Sequence, residues 1–439
     1  MLDHIKNFAE IFLKKTEDKK IQLIGHFDTD GITSTAIMIK TLKRLGLTFS
    51  TKIIKQLTEK EISSFHKDKI LVFMDLASGS IEELSSLKNT IFIIDHHEIE
   101  ITRPLARENF YILNPQLYEP IDLCSSELAY LFSKQISSEN RDLSNLAIIG
   151  MVGDVMEKNI NKIRNQIIKE AEIEIKKGLL LYPSTRPLDK ALEFSSRPLI
   201  PGITGNRQGV IELLKEAGIE KIGKHYKSLI DLSEKEMKDL VTAVMLKMNN
   251  VEFIGNLYLM KFFNKVEDVR ELSAIINACS RMGYPEIALL LCLGNSDARK
   301  KAGRVYVKYR QHIISGLKYI ENNKNIKGDN YVIINAKNNI KDTIIGTIAS
   351  ILSFSSLYKE GTIIVAMAYN ETYIKVSARI AGRNSDRNLK KLLESITNIL
   401  GRGKAGGHKF AAGCTIPIED EERFIELIKK NLEIDMIKA

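Results

Sequence analysis

Over the first 160 residues, short apolar runs alternate with stretches of helical periodicity. IQLI (21–24), the centre of STKIIKQL (50–57), KILVF (69–73) and TIFII (90–94) are short and rich in Ile, Val and Phe, which suits buried strands. ITSTAIMIKTLKRLG follows Gly31, and IEELSSLK follows Gly79 and Ser80; both read as helices. Strands alternating with helices predict βαβ units and a mostly parallel sheet. YILNPQ (111–116) predicts a further short strand and turn, and CSSELAYLFSKQI (124–136) a helix with Ser125 or Ser126 as its cap. LAIIGMVGDV (146–155) predicts a tightly packed helix, with Gly150 and Gly153 allowing close approach and Asp154 carried inward. Residues 1–20 predict an amphipathic helix.

The pattern changes after about residue 159. From there to about 320 the chain predicts polar helices, among them KIRNQIIKEAEIEIKKG (162–178). YPSTRPLDKALEFSSRPLIPG holds four of the nine prolines and predicts a domain junction with rigid turns. EKEMKDLVTAVMLKMNN places Met and Leu at helical spacing, a core pattern. A second β-rich region begins near 329, with NYVIINA, GTIIVAMAYN and TYIKVSARIAG as strands and TIIGTIASILSFS and NLKKLLESITNIL as helices. It ends in GRGKAGGHKFAAG, a Gly-rich loop with one His. Such a loop can offer backbone N–H groups to an anion, though a tight helix-to-strand turn explains it as simply.

Composition narrows the picture little. The chain has 439 residues, 44% of them hydrophobic, enough for two or three domains with sizeable cores. No apolar run reaches membrane-spanning length and no N-terminal apolar region resembles a signal peptide, so a soluble, cytoplasmic protein without a membrane partner is expected. Its four cysteines, Cys124, Cys279, Cys292 and Cys414, are scattered, which fits a reducing compartment and excludes a CxxC zinc knot. A net charge of +9 is compatible with a polyanionic partner but does not require one. RKKAGRVYVKYR (299–310) interleaves six basic residues with Tyr306 and Tyr309, an arrangement that can track a nucleic-acid backbone and stack bases; a solvated helix face is the equal alternative.

The candidate chemistry lies where apolar runs stop. His26, Asp28 and Asp30 follow the first, Asp75 the third, and Asp95, His96 and His97 the fourth, while Asp154 ends a later helix. In a parallel sheet these strand ends share one edge, where open α/β sheets bind ligands. Asp28 and Asp30 could instead cap the helix that follows, yet a cap needs one carboxylate. Several carboxylates gathered together repel unless cations neutralise them. The mixed His and Asp set suits Mn2+, with Mg2+, Co2+ or Zn2+ as alternatives. Two ions about 3.5–4 Å apart are the usual arrangement for hydrolysing phosphate esters.

HFDTDG, Asp75, IIDHHE and GDV, in this order, resemble the DHH phosphoesterase superfamily. SARIAG and AGGHKFAAG resemble its C-terminal DHH-associated domain, and RPLIPGITGNRQG is a looser match. Within the superfamily the chain is most similar to RecJ-type single-strand exonucleases, in particular the archaeal ones that associate with the GINS replication complex. The fold implied is α/β: a parallel-sheet DHH catalytic domain at 1–160, a helical middle insertion or linker at 161–325, and a smaller α/β substrate-binding domain at 326–439. The resemblance implies two Mn2+ ions, Mg2+ or Co2+ being alternatives. One would be held by His26, Asp28 and Asp75, the other by Asp30, Asp75, His96 and Asp154, with Asp75 shared. It further implies that His97 contacts the scissile phosphate, that Asp95 orients the neighbouring ligand, and that Arg379, Gly406, Gly407 and His408 bind substrate. Ala405 stands where many relatives carry a third glycine. The implied activity is 5′ to 3′ degradation of single-stranded DNA in replication and repair, with single-stranded DNA or RNA as the partner. The alternatives are a nanoRNA or small-nucleotide phosphodiesterase or phosphatase of the same superfamily, and a GINS-associated scaffold.

Overall fold

The computed structural model describes residues 1–99, 109–118, 121–195, 198–248, 253–355, 357–382 and 386–434. The elements run α1 (Leu2–Thr16), β1 (Ile21–His26), α2 (Thr29–Arg44), β2 (Phe49–Ile54), α3 (Glu59–Ser63), β3 (Ile70–Met74), α4 (Ile81–Ser85), β4 (Ile91–Ile94), β5 (Phe110–Leu113), α5 (Ser125–Ile136), α6 (Ser144–Gly153) and α7 (Lys162–Glu170). There follow β6 (Glu174–Leu179), α8 (Leu188–Glu193), α9 (Arg207–Glu216), α10 (Glu234–Met248), β7 (Ile254–Phe262), β8 (Lys265–Asp268), α11 (Val269–Arg281), α12 (Pro285–Cys292) and α13 (Ser296–Asn322). The last part holds β9 (Ile326–Lys327), β10 (Tyr331–Asn335), α14 (Asp342–Ser353), β11 (Ile363–Tyr369), β12 (Tyr373–Ile380), α15 (Leu389–Leu400), β13 (Lys404–His408), β14 (Ala411–Pro417) and α16 (Glu421–Ile434). The chain divides into two compact units, Met1–Lys176 with Tyr258–Tyr306, and Lys177–Leu257 with Val307–Ala439.

The first unit is built on a parallel sheet of order β2-β1-β3-β4-β5. Its inner strands are buried on both faces, which explains why IQLI, ILVFM and IFII read as unbroken apolar runs. The expected α/β parallel-sheet fold is borne out. Register sets the chemistry. Gly25 pairs with Met74, Met74 with Ile94, and Ile94 with Leu113, so the next row outward is His26, Asp75, Asp95 and Asn114. The Asp75 and Asp95 amides carry the ladder one step further, donating to the Ile94 and Leu113 carbonyls at 2.9 and 3.2 Å. The strand order reverses between β1 and β3, the switch point at which doubly wound sheets open a ligand crevice. On one face α1 buries Ile5, Phe8 and Phe12; Phe8 and Phe12 meet Phe92 and Phe132 edge-on. Each such side chain contributes about 1.5–3 kcal/mol by leaving water.

Residues 258–306 fold into this same unit, where α11 packs on α6 and α2. The middle region is therefore not purely helical. KEAEIEIKKG, expected as helix, keeps only Lys169 and Glu170 in α7; its end enters β6, where only Gly178 and Leu179 are buried. β7 and β8 form an antiparallel hairpin. The Met and Leu pattern of α10 is core as expected, with Leu240, Val244 and Met248 buried.

In the second unit residues 326–417 form a mixed sheet of order β13-β14-β12-β11-β10-β9, with only β10 and β11 parallel. GRGKAGGHKFAAG, expected as a loop, is instead the β13–β14 hairpin at the edge of this sheet. The aromatic part of the basic cluster is corrected too. Tyr306 and Tyr309 lie on the buried face of α13 with Ala302, Ile313 and Ile320, and are 5% exposed. The Tyr309 hydroxyl meets Thr347 Oγ1 at 3.0 Å. Neither ring is presented to a base. Among the described residues no helix is long and apolar enough to cross a membrane.

Candidate metal centre

Every metal-ligand candidate of the first unit lies at the carboxyl edge of its sheet. His26 ends β1, and its Nδ1 stands 3.2 Å from Asp28 Oδ2 and 3.3 Å from Asp75 Oδ2. Asp28 does cap α2, accepting from the Gly31 amide at 3.0 Å through Oδ1, while Oδ2 faces His26. The cap and the ligand readings thus describe two oxygens of one carboxylate. The helix starts at Thr29, so Asp30 lies in its first turn and is buried. His96 Nε2 approaches Asp75 Oδ1 at 3.5 Å, Asp154 Oδ2 at 3.6 Å and Asp30 Oδ2 at 3.9 Å. Asp75 is therefore shared, one oxygen toward His26 and the other toward His96. Its backbone is left-handed, with φ 62°, a conformation that costs on the order of 1 kcal/mol and concentrates at functional sites.

His97 Nδ1 bonds Asp95 Oδ1 at 2.7 Å and lies 3.8 Å from Asp75 Oδ1. Asp95, fully buried, also accepts the His96 and Ser78 amides at 2.8 and 3.0 Å. Asn114 donates to Ser78 Oγ and to the His97 carbonyl, and Gln116 to the His96 carbonyl. Asp154 stands at the C-cap of α6, half-buried at the rim, with Oδ2 toward His96.

Sequence reasoning missed the groups that hold these ligands. Cys124, not Ser125 or Ser126, stands at the cap position of α5. The Ser125 and Ser126 amides, at the positive end of that helix, donate to Asp30 Oδ2 and Oδ1 at 2.8 and 2.9 Å. Ser125 Oγ donates to Asp75 Oδ1 at 2.9 Å, and Ser126 Oγ bonds Asp30. Gly150 makes this possible: a Cβ there would sit 2.0 Å from Ser126 Oγ and 2.7 Å from Asp30 Oδ1. The paired small hydroxyls at the start of CSSELAYLF were the available signal.

The electrostatics call for positive charge. Burial, reinforced by Asp28 and Asp30, pushes Asp75 well above the ordinary carboxylate range. Burial with Asp30 and Asp28 nearby raises Asp154 to about 8. Asp28 and Asp95 are held low despite burial, by His26 and His97 respectively. Burial opposes protonation of His97, but its bond to Asp95, with Asp75 and Asp28 behind, raises it to about 10. Carboxylates that can ionise only against one another, interleaved with imidazoles, fit divalent cations of intermediate hardness. Ligating atoms of His26, Asp28 and Asp75 lie within 4.8 Å of one another, as do those of Asp75, His96 and His97.

The C-terminal candidates form a group within the second unit. Arg379 pairs with Ala411 across the sheet, and Ala411 with His408, so all three share one face. Arg379 Nε donates to Ser350 Oγ at 2.9 Å, and Nη1 to the Ala378 and Ala412 carbonyls. Gly406 and Gly407 pair with Gly413 and Ala412.

Fold and site together define a class of protein. Residues 20–153 match the DHH family, N-terminal domain, residues 181–253 the DHH-CID domain, and residues 328–433 the DHHA1 domain. The chain belongs to the DHH family. It is 26% identical over 429 residues to the uncharacterized protein MJ0831 of Methanocaldococcus jannaschii, covering 93% of this chain and 92% of that one. It is 25% identical over 154 residues to the single-stranded-DNA-specific exonuclease RecJ of Bacillus subtilis, 32% of this chain and 20% of the relative. Among solved structures, exonuclease RecJ bound to manganese superposes with a TM-score of 0.61 at 17% identity, over 97% of this chain and 94% of that one. CDC45 from Entamoeba histolytica superposes with 0.69 at 12%, over 97% and 98%. At such identities these two likenesses are of fold.

Proposed function

We propose that the chain is a metal-dependent phosphodiesterase that releases nucleotides from the 5′ end of single-stranded DNA. The observation that carries this reading is the placement of Asp75, with one oxygen toward His26 and Asp28 and the other toward His96. One cation would be held by His26, Asp28 and Asp75, and a second by Asp30, Asp75, His96 and Asp154. Mn2+ suits the mixed imidazole and carboxylate set, and Mg2+ or Co2+ should substitute. Bound there, the cations would offset phosphate charge and lower the pKa of a coordinated water.

The remaining work falls to side chains of this protein. His97, kept protonated by Asp95, donates toward an oxygen of the scissile phosphate as negative charge grows there. Asp95 fixes the ring and, through the His96 amide, the backbone that carries the neighbouring ligand. Arg379, Gly406, Gly407 and His408 hold phosphate or the terminal nucleotide on the face of the second unit's sheet. The names of the Bacillus relative and of the manganese-bound structure support strand cleavage and the choice of Mn2+. Incubation of the purified protein with Mn2+ and a 5′-labelled single strand should release labelled mononucleotide. Folded, metal-loaded protein that releases none sinks the reading.

One observation favours a second reading. Burial of Tyr306 and Tyr309 removes the aromatic platform expected to grip a long strand. A chain that prefers dinucleotides or small nucleotides would cleave them faster than a long strand at equal phosphodiester concentration. Co-purification of a GINS-type complex by both wild type and Asp75→Asn would separate a scaffolding role from catalysis.

A further inference from the structure

We propose that Arg164 is a positioning residue of the cation site, acting on Asp30 and Asp154 at once. The inference rests on the reading of the sheet rim as a cation site. Arg164, on α7, is fully buried, which arginine almost never is unless paired. Its Nε and Nη2 donate to Glu127 Oε1 and Oε2 at 2.7 and 2.8 Å, and Glu127 is fully buried as well. Three further bonds reach backbone carbonyls, Nη2 to Asp122 at 2.8 Å and Nη1 to Met156 at 3.2 Å and to Asn159, and Nη2 also meets Met156 Sδ at 3.3 Å. One planar group thus gathers carbonyls from two separate segments.

Both segments carry the site. Glu127 Oε2 also accepts the Cys124 amide at 2.9 Å, which fixes the first turn of α5. The next two amides of that turn, Ser125 and Ser126, hold Asp30, and the Ser125 hydroxyl holds Asp75. The Met156–Asn159 turn follows Asp154 directly, entered through Val155 in left-handed conformation, φ 59°. Asp30 and Asp154 then both approach His96. The guanidinium thus reaches, through the first turn of α5 and the Met156–Asn159 turn, the segments that hold Asp30 and carry Asp154.

Stability alone gives a poor reason for this charge. Replacing a buried ion pair with apolar side chains of similar volume is commonly neutral or stabilising. An apolar pair could not tie two segments through their carbonyls. Neither could lysine, which lacks the rigid fork of donors.

The test is Mn2+ binding without substrate, followed by paramagnetic resonance of free Mn2+, on wild type, Arg164→Lys and the double variant Arg164→Met with Glu127→Met. Arg164→Lys keeps a charge opposite Glu127; the double variant removes both charges and avoids an unpaired one. Circular dichroism and Tm report the fold. Both variants should fold and bind Mn2+ about 10–100-fold more weakly than wild type, the usual cost of losing a group behind a metal ligand. At saturating Mn2+, KM for a strand should be unchanged. A folded variant with wild-type Mn2+ affinity overturns the proposal, as does loss of the fold in both, which would make Arg164 a residue of stability alone. Wild-type protein that binds no Mn2+ overturns the reading of the rim instead.

Discussion

The rim of the first sheet and the hairpin at the edge of the last one carry their candidate chemistry in opposite ways. At the rim the working parts are side chains. Asp28, Asp30, Asp75 and Asp154 crowd two imidazoles, and burial pushes Asp75 and Asp154 toward their neutral forms. In the hairpin they are mostly backbone. Gly406 and Gly407 complete a ladder with Gly413 and Ala412, and much of the Arg379 guanidinium is already bonded to Ser350 and strand carbonyls. The rim is at odds with itself until a cation arrives, whereas the hairpin is satisfied and merely leaves room. Under the proposed function, such a difference would separate a site stabilised by its cation from one that takes substrate at no cost to the fold.

The sharpest way to break this contrast is Asp75→Asn. Asparagine tolerates the left-handed backbone at this position, so the fold should persist. Turnover should fall at least on the order of 10³-fold, since one cation position would face an amide nitrogen in place of an Asp75 oxygen and the charge shared by both would be gone. Metal-free Asp75→Asn should also melt above metal-free wild type, because a carboxylate pressed by Asp28 and Asp30 is gone. An activity loss with lower metal-free Tm would mean that Asp75 is a structural carboxylate, and the contrast would fail.

Metal removal should act on one region only. Mn2+ at a hundred times its Kd stabilises what binds it by about 2.7 kcal/mol. Hydrogen exchange in a chelator should therefore quicken in the amides of α2 and the first turn of α5, and stay unchanged in β12 and β14. Uniform quickening would show that the two regions share one cooperative transition.

How much of this contrast the bare chain displays follows from the same physics. The rim was legible because a parallel strand is apolar until its end: His26 is the last residue of β1, and Asp75 and Asp95 are the first after β3 and β4. What holds them was less legible: Ser125 and Ser126 act partly through amides, which leave no side-chain mark, and Arg164 meets Glu127 only in three dimensions. The hairpin was misread because a glycine run has no side-chain period, so a strand looks like a loop. The tyrosines of α13 were misread for the opposite reason. Basic residues between them suggested a nucleic-acid face, while the helical spacing of Ala302, Tyr306, Tyr309 and Ile313 was the spacing of a buried stripe.

Two neighbouring glycines sharpen the hairpin side. A Cβ at Gly406 would meet nothing within 4 Å, so Gly406→Ala should leave Tm unchanged. If phosphate lies against that backbone, the added methyl should raise KM about tenfold, a cost within the 1–3 kcal/mol of an overpacked contact, with kcat and Mn2+ affinity unaltered. A Cβ at Gly407 would sit 2.5 Å from the Ala411 carbonyl oxygen at φ 126°, so Gly407→Ala should cost about 1–3 kcal/mol of stability before any substrate is added. An unchanged KM in Gly406→Ala would remove the hairpin from the substrate path.

The smallest effect tests whether α13 takes any part in gripping a strand. Tyr309 is buried, with its hydroxyl 3.0 Å from Thr347 Oγ1. Tyr309→Phe removes that bond and nothing that faces solvent, so the expected loss is about 1 kcal/mol of stability, measured by denaturant titration. Strand affinity and its salt dependence should not move, because the ring has no open face on which a base could stack. Lys300, Lys301, Arg304 and Lys308 lie on the other side of the same helix, exposed. Were they the grip, converting Lys300 and Lys301 to glutamine would flatten the salt slope by about 1.4, while Tyr309→Phe would still leave it untouched. A slope that responds to Tyr309→Phe would mean that α13 opens this face to bind, and the tyrosine stripe would then belong to the substrate path and not to the core.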